Sequence, residues 1–239
     1  MIELQNVFKV YKNGEIETVA LKNINLSIKK GEFISIMGPS GSGKSTLMHI
    51  IGLLDRPTSG KYLLDGQDVS KLKDEELSRL RNKKIGFIFQ AFFLLPRKNV
   101  LENVILPSIY SDLKQSSRKE KAIESLKESA FPLDFIYHYP NQLSGGMMQR
   151  VAIARSLIND PEIILADEPT GNLDTKTGEF VLHTFQRLNI EKGITIILIT
   201  HEEYVAEHAE KIIRIKDGEI ISEEKVENRK ILHHNNENH

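Results

Sequence analysis

Gly38-Pro39-Ser40-Gly41-Ser42-Gly43-Lys44-Ser45-Thr46 decides the fold of this 239-residue chain. The stretch matches GxxxxGK[ST], and what surrounds it fits. Before it, Glu32 to Met37 reads as a buried strand; after it, apolar residues at helical spacing run to Leu54 and stop at Asp55-Arg56-Pro57. Strand, glycine-rich turn and helix together make a phosphate-binding unit. Glycines let backbone N–H groups curl around phosphate oxygens, and the helix N-terminus adds partial positive charge. Gly38, Ser40, Gly41, Ser42, Gly43 and Thr46 are therefore candidate phosphate contacts. Lys44 reaches the β- and γ-phosphates of a nucleotide, and Ser45 is placed to ligate Mg²⁺.

On the N-terminal side, β-type runs from Ile2 to Ile28 alternate with turn signals at Lys12-Asn13-Gly14-Glu15 and Lys22-Asn23, which predicts an antiparallel sheet. Tyr11 in that sheet either packs or offers its ring face to a base. Downstream, Tyr62 to Gly66 reads as a strand and hairpin turn, Asp74 to Arg81 as a charged helix and Ile85 to Phe89 as another strand. From about Asn99 to Asn159 helical spacing dominates, with Ser116-Ser117 at a helix cap. Strands return at Glu162 to Asp167 and Ile194 to Thr200, with a helix from Thr175 to Ile190 between them, so neighbouring strands should be parallel. Ile212 to Ile221 closes with a hairpin turning at Asp217-Gly218. The predicted fold is α/β: a P-loop NTPase core with a mostly parallel sheet, an N-terminal antiparallel β subdomain and an inserted helical subdomain. This domain spans residues 1–222. Residues 223–239, rich in charge, Asn and His, read as a disordered tail in which His233, His234 and His239 are solvated.

Composition narrows the function. Lys plus Arg number 32 against 33 for Asp plus Glu, a net charge of −1, so no global positive field recruits nucleic acid. There is no cysteine, which removes disulfides, thiolate metal sites and Cys nucleophiles. Apolar runs such as Ile194 to Ile199 fall far short of the roughly 18 residues of a membrane span, and Met1-Ile2-Glu3 does not begin a secretion signal.

Other residues extend the phosphate site. Asp167 and Glu168 end an apolar strand, where ligands of an open parallel sheet gather. Asp167 suits the Mg²⁺ side, and Glu168 can polarise a water for in-line attack on the γ-phosphate. Taken alone, the pair also reads as an ordinary helix start. Leu143-Ser144-Gly145-Gly146 precedes an apolar helical run, so Ser144 is an N-cap and two first-turn glycines leave room for a close approach. His201 leaves another strand at the same edge, either to meet a γ-phosphate or to serve the fold. Gln90 leaves the strand Ile85 to Phe89 within reach of Mg²⁺ or water. Ala91-Phe92-Phe93-Leu94-Leu95-Pro96 fits neither period and reads as a buried loop or a partly exposed docking patch.

These pieces, in this order, resemble the ATP-binding subunits of ABC transporters over the chain to about Ser222. The resemblance implies roles: Tyr11 stacks adenine, Gly38 to Thr46 is the Walker A loop, Gln90 the Q-loop residue and Ser144-Gly145-Gly146 the signature. It also makes Asp167 the Walker B aspartate, Glu168 the catalytic glutamate, Gly171-Asn172-Leu173-Asp174 the D-loop and His201 the switch histidine. It implies ATP and Mg²⁺, a homodimer with each ATP between one phosphate loop and the other subunit's signature, and a separate transmembrane permease. The cytoplasmic inner face of the cell membrane follows as the location. Ile88-Phe89-Gln90, Phe93 to Arg97, Leu101-Glu102-Asn103-Val104 and Ala166 to Asp174 resemble the MacB and LolD branch of macrolide-efflux and lipoprotein-release ATPases. An FtsE-like ATPase, which transmits force without a cargo, is the alternative. Met147-Met148 stands where the family has a Gln-rich pair, and Glu202 where it commonly has Asp; neither removes a phosphate ligand. DNA-repair relatives carry long coiled coils absent here, and a P-loop kinase leaves the signature and Gln90 unexplained.

Overall fold

The computed structural model describes residues 1–231. β1 (Ile2–Asn13) and β2 (Ile16–Ile28) pair antiparallel and are joined by β4 (Ser59–Leu64) and β5 (Gln67–Asp68) in a sheet of order β2-β1-β4-β5. The turn expected at Lys22-Asn23 is instead an irregularity inside β2. Asn23 and Asn6 take left-handed backbone (φ 50° and 48°), and Asn25 Oδ1 accepts from Asn6 N at 2.9 Å, so polar side chains satisfy a local break in the ladder. Both predicted hairpin turns hold. Asp65-Gly66 and Asp217-Gly218 each have positive φ at both residues, as a two-residue hairpin requires.

The second sheet has the order β10-β9-β3-β8-β7-β6, built from β3 (Phe33–Met37), β6 (Ile85–Phe89), β7 (Ile163–Asp167), β8 (Thr195–Thr200), β9 (Lys211–Lys216) and β10 (Glu219–Lys225). All its neighbours are parallel except β9 and β10. Its central strands are buried along their length, which explains their continuous Ile/Leu runs. One apolar cluster joins a face of this sheet to α1 (Lys44–Ile51) and the antiparallel sheet. Another packs the opposite face against α6 (Thr175–Lys192) and α5 (Gly145–Leu157).

α2 (Asp74–Lys84) continues past the expected Arg81 and leads directly into β6. The helical subdomain contains α3 (Val100–Ile105), α4 (Arg118–Glu128) and α5. α5 serves two cores: Ile153 and Leu157 face the sheet, while Val151, Ala154 and Ile158 face α3 and α4. The helix carries apolar residues on two faces because both are covered. Ser117 does not cap α4 through its side chain; a 3₁₀ turn over Gln115–Ser117 runs straight into the helix, leaving no extended N-cap residue.

The polar tail read from Glu223 needs correction. β10 pairs with β9 through Lys225, and Val226 packs against Met37, Ala206 and Ile212. Arg229 then donates to the His208 carbonyl at 2.8 Å, and the Lys230 amide donates to Glu207 O at 3.0 Å. Long-range contacts hold a segment whose composition reads as solvated. His233, His234 and His239 lie outside the described residues.

Candidate functional site

Strand register gathers the sequence-distant candidates. Met37 pairs with Thr200, Ile199 with Asp167, and Phe89 with Asp167, so the segments leaving β3, β8, β7 and β6 emerge side by side at one edge of the sheet. Those segments begin with Gly38, His201, Glu168 and Gln90.

The loop from Gly38 to Gly43 leads into α1, whose first turn has no side-chain cap and no acidic residue, leaving N–H groups for an anion. Ser40, Gly41 and Ser45 are exposed. Close approach accounts for two of the glycines: a Cβ on Gly38 would stand 2.1 Å from Ile215 O and one on Gly43 2.7 Å from Ala20 O. Neighbouring backbone excludes side chains there. Lys44 Nζ donates to Gly38 O (2.7 Å) and Pro39 O (2.9 Å), folded back along its own loop. Ser42 is buried with its hydroxyl unpartnered.

Glu168 takes left-handed backbone (φ 45°), uncommon for a non-glycine residue, and its amide donates to Ile199 O at 2.8 Å. Its Oε1 accepts from the His201 amide at 3.1 Å and lies 2.6 Å from His201 Nδ1, while Oε2 accepts from the Thr200 hydroxyl at 3.2 Å. The carboxylate therefore has a fixed orientation. Bonding to Glu168 and its charge raise the His201 pKa above the ordinary value. Asp167 is half-buried; burial first, then the neighbouring Glu168, pushes its carboxyl up, against the pull of His49 and Lys44. A carboxylate so placed is relieved by a further cation, and the oxygen donors of Asp167, Ser45 and Gln90 suit Mg²⁺. Ligand atoms of Glu168, His201 and Glu202 also lie within 4.8 Å of one another, but Glu168 and His201 already satisfy each other.

Ser144 caps α5 as expected, its hydroxyl accepting from Met147 N at 3.3 Å. The two glycines differ in what constrains them. A Cβ on Gly146 would meet Thr177 Cγ2 at 2.6 Å, so that glycine serves packing on α6, whereas Gly145 has only ordinary contacts. Asp174 caps α6, accepting from Thr177 N (3.0 Å) and its hydroxyl (2.6 Å), and these bonds hold its carboxyl below the usual value. Asn172 Nδ2 donates to Gln90 O at 2.9 Å, and buried Gln149 donates to Pro169 O at 2.7 Å. Thr200 and Gln149 were not singled out in the sequence, and Asn172 only as part of the D-loop stretch; their spatial neighbours show their bonds.

The apolar loop after Gln90 is shaped by backbone contacts. Phe92 and Phe93 have positive φ, and Arg155 donates to both of their carbonyls at 2.6 Å. Buried Asn103 pins the following turn, accepting from Leu95 N and donating to the Leu95, Lys98 and Asn99 carbonyls. Phe93 is 63% exposed at the side of a groove of about 780 Å³, lined among others by Phe87, Phe89, Leu106, Pro107 and Tyr110. Sequence reading located the loop but not the groove.

Residues 21–171 match the ABC transporter family. The chain belongs to that family. It is 53% identical over 229 residues to an uncharacterized ABC transporter ATP-binding protein, MJ0796, of Methanocaldococcus jannaschii, covering 95% of this chain and 97% of that one. It is 51% identical over 222 residues to the macrolide export ATP-binding/permease protein MacB of Syntrophobacter fumaroxidans, covering 92% of this chain but 31% of that protein. The solved dimer of the ATP-binding cassette MJ0796 in a post-hydrolysis state, bound to ADP and Pi, matches with a TM-score of 0.87 at 52% identity, covering 95% of this chain and 99% of that one. The resemblance read from the motifs is thus borne out, including its branch. The chain is an ATP-binding and ATP-hydrolysing ABC cassette. Among the described residues, no helix is long and apolar enough to cross a membrane.

Proposed function

We propose that this cassette is the motor subunit of an exporter, dimerising around two ATP molecules and driving a separate transmembrane permease from the cytoplasmic face of the membrane. The observation that carries this reading is the convergence of Gly38, Gln90, Asp167-Glu168 and His201 at adjacent strand ends. In it, Lys44 turns from its own loop carbonyls to the β- and γ-phosphates, and Tyr11 stacks the adenine. Asp167, Ser45 and Gln90 would hold Mg²⁺, which would neutralise phosphate charge. Glu168, oriented by Thr200 and His201, takes a proton from the attacking water, and His201 meets the γ-phosphate.

Ser144, Gly145 and Gly146 complete the site of a second copy. The dimeric MJ0796 cassette supports this arrangement, as does the exposure of Ser144 beside Gly145, which has only ordinary contacts. Export follows the MacB relatives, in which cassette and permease are named as one protein.

The permease docks at the groove beside Gln90, where Phe93 presents an apolar face next to the catalytic edge. Phe93→Asp is expected to abolish co-purification with the membrane subunit while leaving ATP binding intact. Unchanged association would remove this surface from the account.

A further inference from the structure

We propose that Asp55 is a positioning residue for base recognition: its carboxylate holds the Tyr11 phenol and the Lys9 ammonium together and so fixes which face of the Tyr11 ring accepts a purine. The inference rests on the reading that Tyr11 stacks the base.

Tyr11 is 41% exposed on β1, where an aromatic side chain without a tie keeps its rotamer freedom. Here its hydroxyl donates to Asp55 Oδ2 at 2.9 Å. The other oxygen, Oδ1, accepts from Lys9 Nζ at 2.6 Å and from the Arg56 amide at 2.7 Å. Lys9 also donates to Arg56 O at 2.8 Å, which leaves its side chain only 12% exposed. Lys9 and Tyr11 are two residues apart on β1 and share a face of the strand. The ammonium lies 4.8 Å from the ring centroid, so one ring face is taken by a cation and a base has only the other.

Asp55 is itself held to the phosphate-loop helix. It stands in the turn that ends α1, where the amides of Leu54 and Asp55 both donate to His49 O at 2.8 and 3.1 Å. Asp55 thus ties the base platform to the end of the phosphate-loop helix, beside the direct bond between the Tyr11 hydroxyl and the Thr46 side chain at its start. Burial raises the Asp55 pKa, but hydrogen bonds from Lys9, Arg56 and Tyr11 outweigh it, so the carboxyl stays below its ordinary value and is ionised at neutral pH. Burial first, then the bond to Asp55, raises the Tyr11 pKa, so the phenol keeps the proton it donates.

The test is titration of the full chain with ATP-Mg²⁺ and with inorganic triphosphate-Mg²⁺, which lacks the base. Tyr11→Phe keeps the ring and loses the tie; Asp55→Asn keeps the shape and loses the charge. Each is expected to weaken ATP about 3- to 10-fold, the range of one lost hydrogen bond, and to leave triphosphate affinity unchanged. Tyr11→Ala is expected to weaken ATP about 5- to 150-fold, the worth of base stacking. If Tyr11→Ala alone weakens ATP, stacking stands and the role of Asp55 is overturned. If none of the three changes the ratio of ATP to triphosphate affinity, the stacking reading fails and takes the inference with it. Equal weakening of both ligands by Asp55→Asn and Tyr11→Phe would show a general loss of loop structure and also overturn the role.

Discussion

Replacing Glu168 with Gln is expected to slow ATP hydrolysis about 10²- to 10⁴-fold while ATP binding survives, the range for loss of a positioned general base. Gln has the same length and keeps one acceptor oxygen, so bonds from the Thr200 hydroxyl and the His201 amide can persist in part. What it loses is the capacity to take a proton. The negative charge that raises the His201 pKa also goes, so the imidazole moves toward its ordinary value of about 6.5. Steady-state phosphate release checks this, and turnover near that of the wild type would remove Glu168 from its role.

Lys44→Ala is expected to weaken ATP binding by about 10- to 150-fold, corresponding to the roughly 1.5 to 3 kcal/mol of a hydrogen bond to a charged group. Lys44 Nζ also bonds the Gly38 and Pro39 carbonyls, so the substitution releases two loop acceptors. Lys44→Met separates loss of the stem from loss of the ammonium; like Lys44→Ala, it releases both loop acceptors. It restores the apolar stem without the ammonium and should bind ATP as weakly as Lys44→Ala if the charge contacts the phosphates. Titration with a fluorescent ATP analogue decides it; affinity within about twofold of the wild type in both variants would contradict a phosphate contact.

The legible parts of this chain were those whose cause is local. A strand, a glycine-rich turn and a capless helix start are encoded within Glu32 to Leu54, and the Ser144 cap within four residues. The parallel register then follows from buried strands joined by helices, which is why Gln90, Asp167, Glu168 and His201 converge as expected. What escaped the sequence has distant causes. Gly38, Gly43 and Gly146 leave no room for a side chain because Ile215, Ala20 and Thr177 approach them, neighbours far away in the chain. The segment from Glu223 to Lys230 is charged, yet β9, Glu207 and His208 hold it in place. Asp55 looked like the end of a helix; its bonds to Lys9 and Tyr11 span 46 and 44 residues. The groove beside Phe93 needed β6, α2 and the loop after α3 to be placed together.

In the proposed mechanism two copies share each ATP. Size-exclusion chromatography with light scattering on Glu168→Gln, with and without ATP-Mg²⁺, tests it most directly, because a variant that binds but does not hydrolyse cannot reopen by turnover. A monomer without nucleotide and a dimer with it are expected. A monomer at saturating ATP-Mg²⁺ would contradict a nucleotide site shared between subunits.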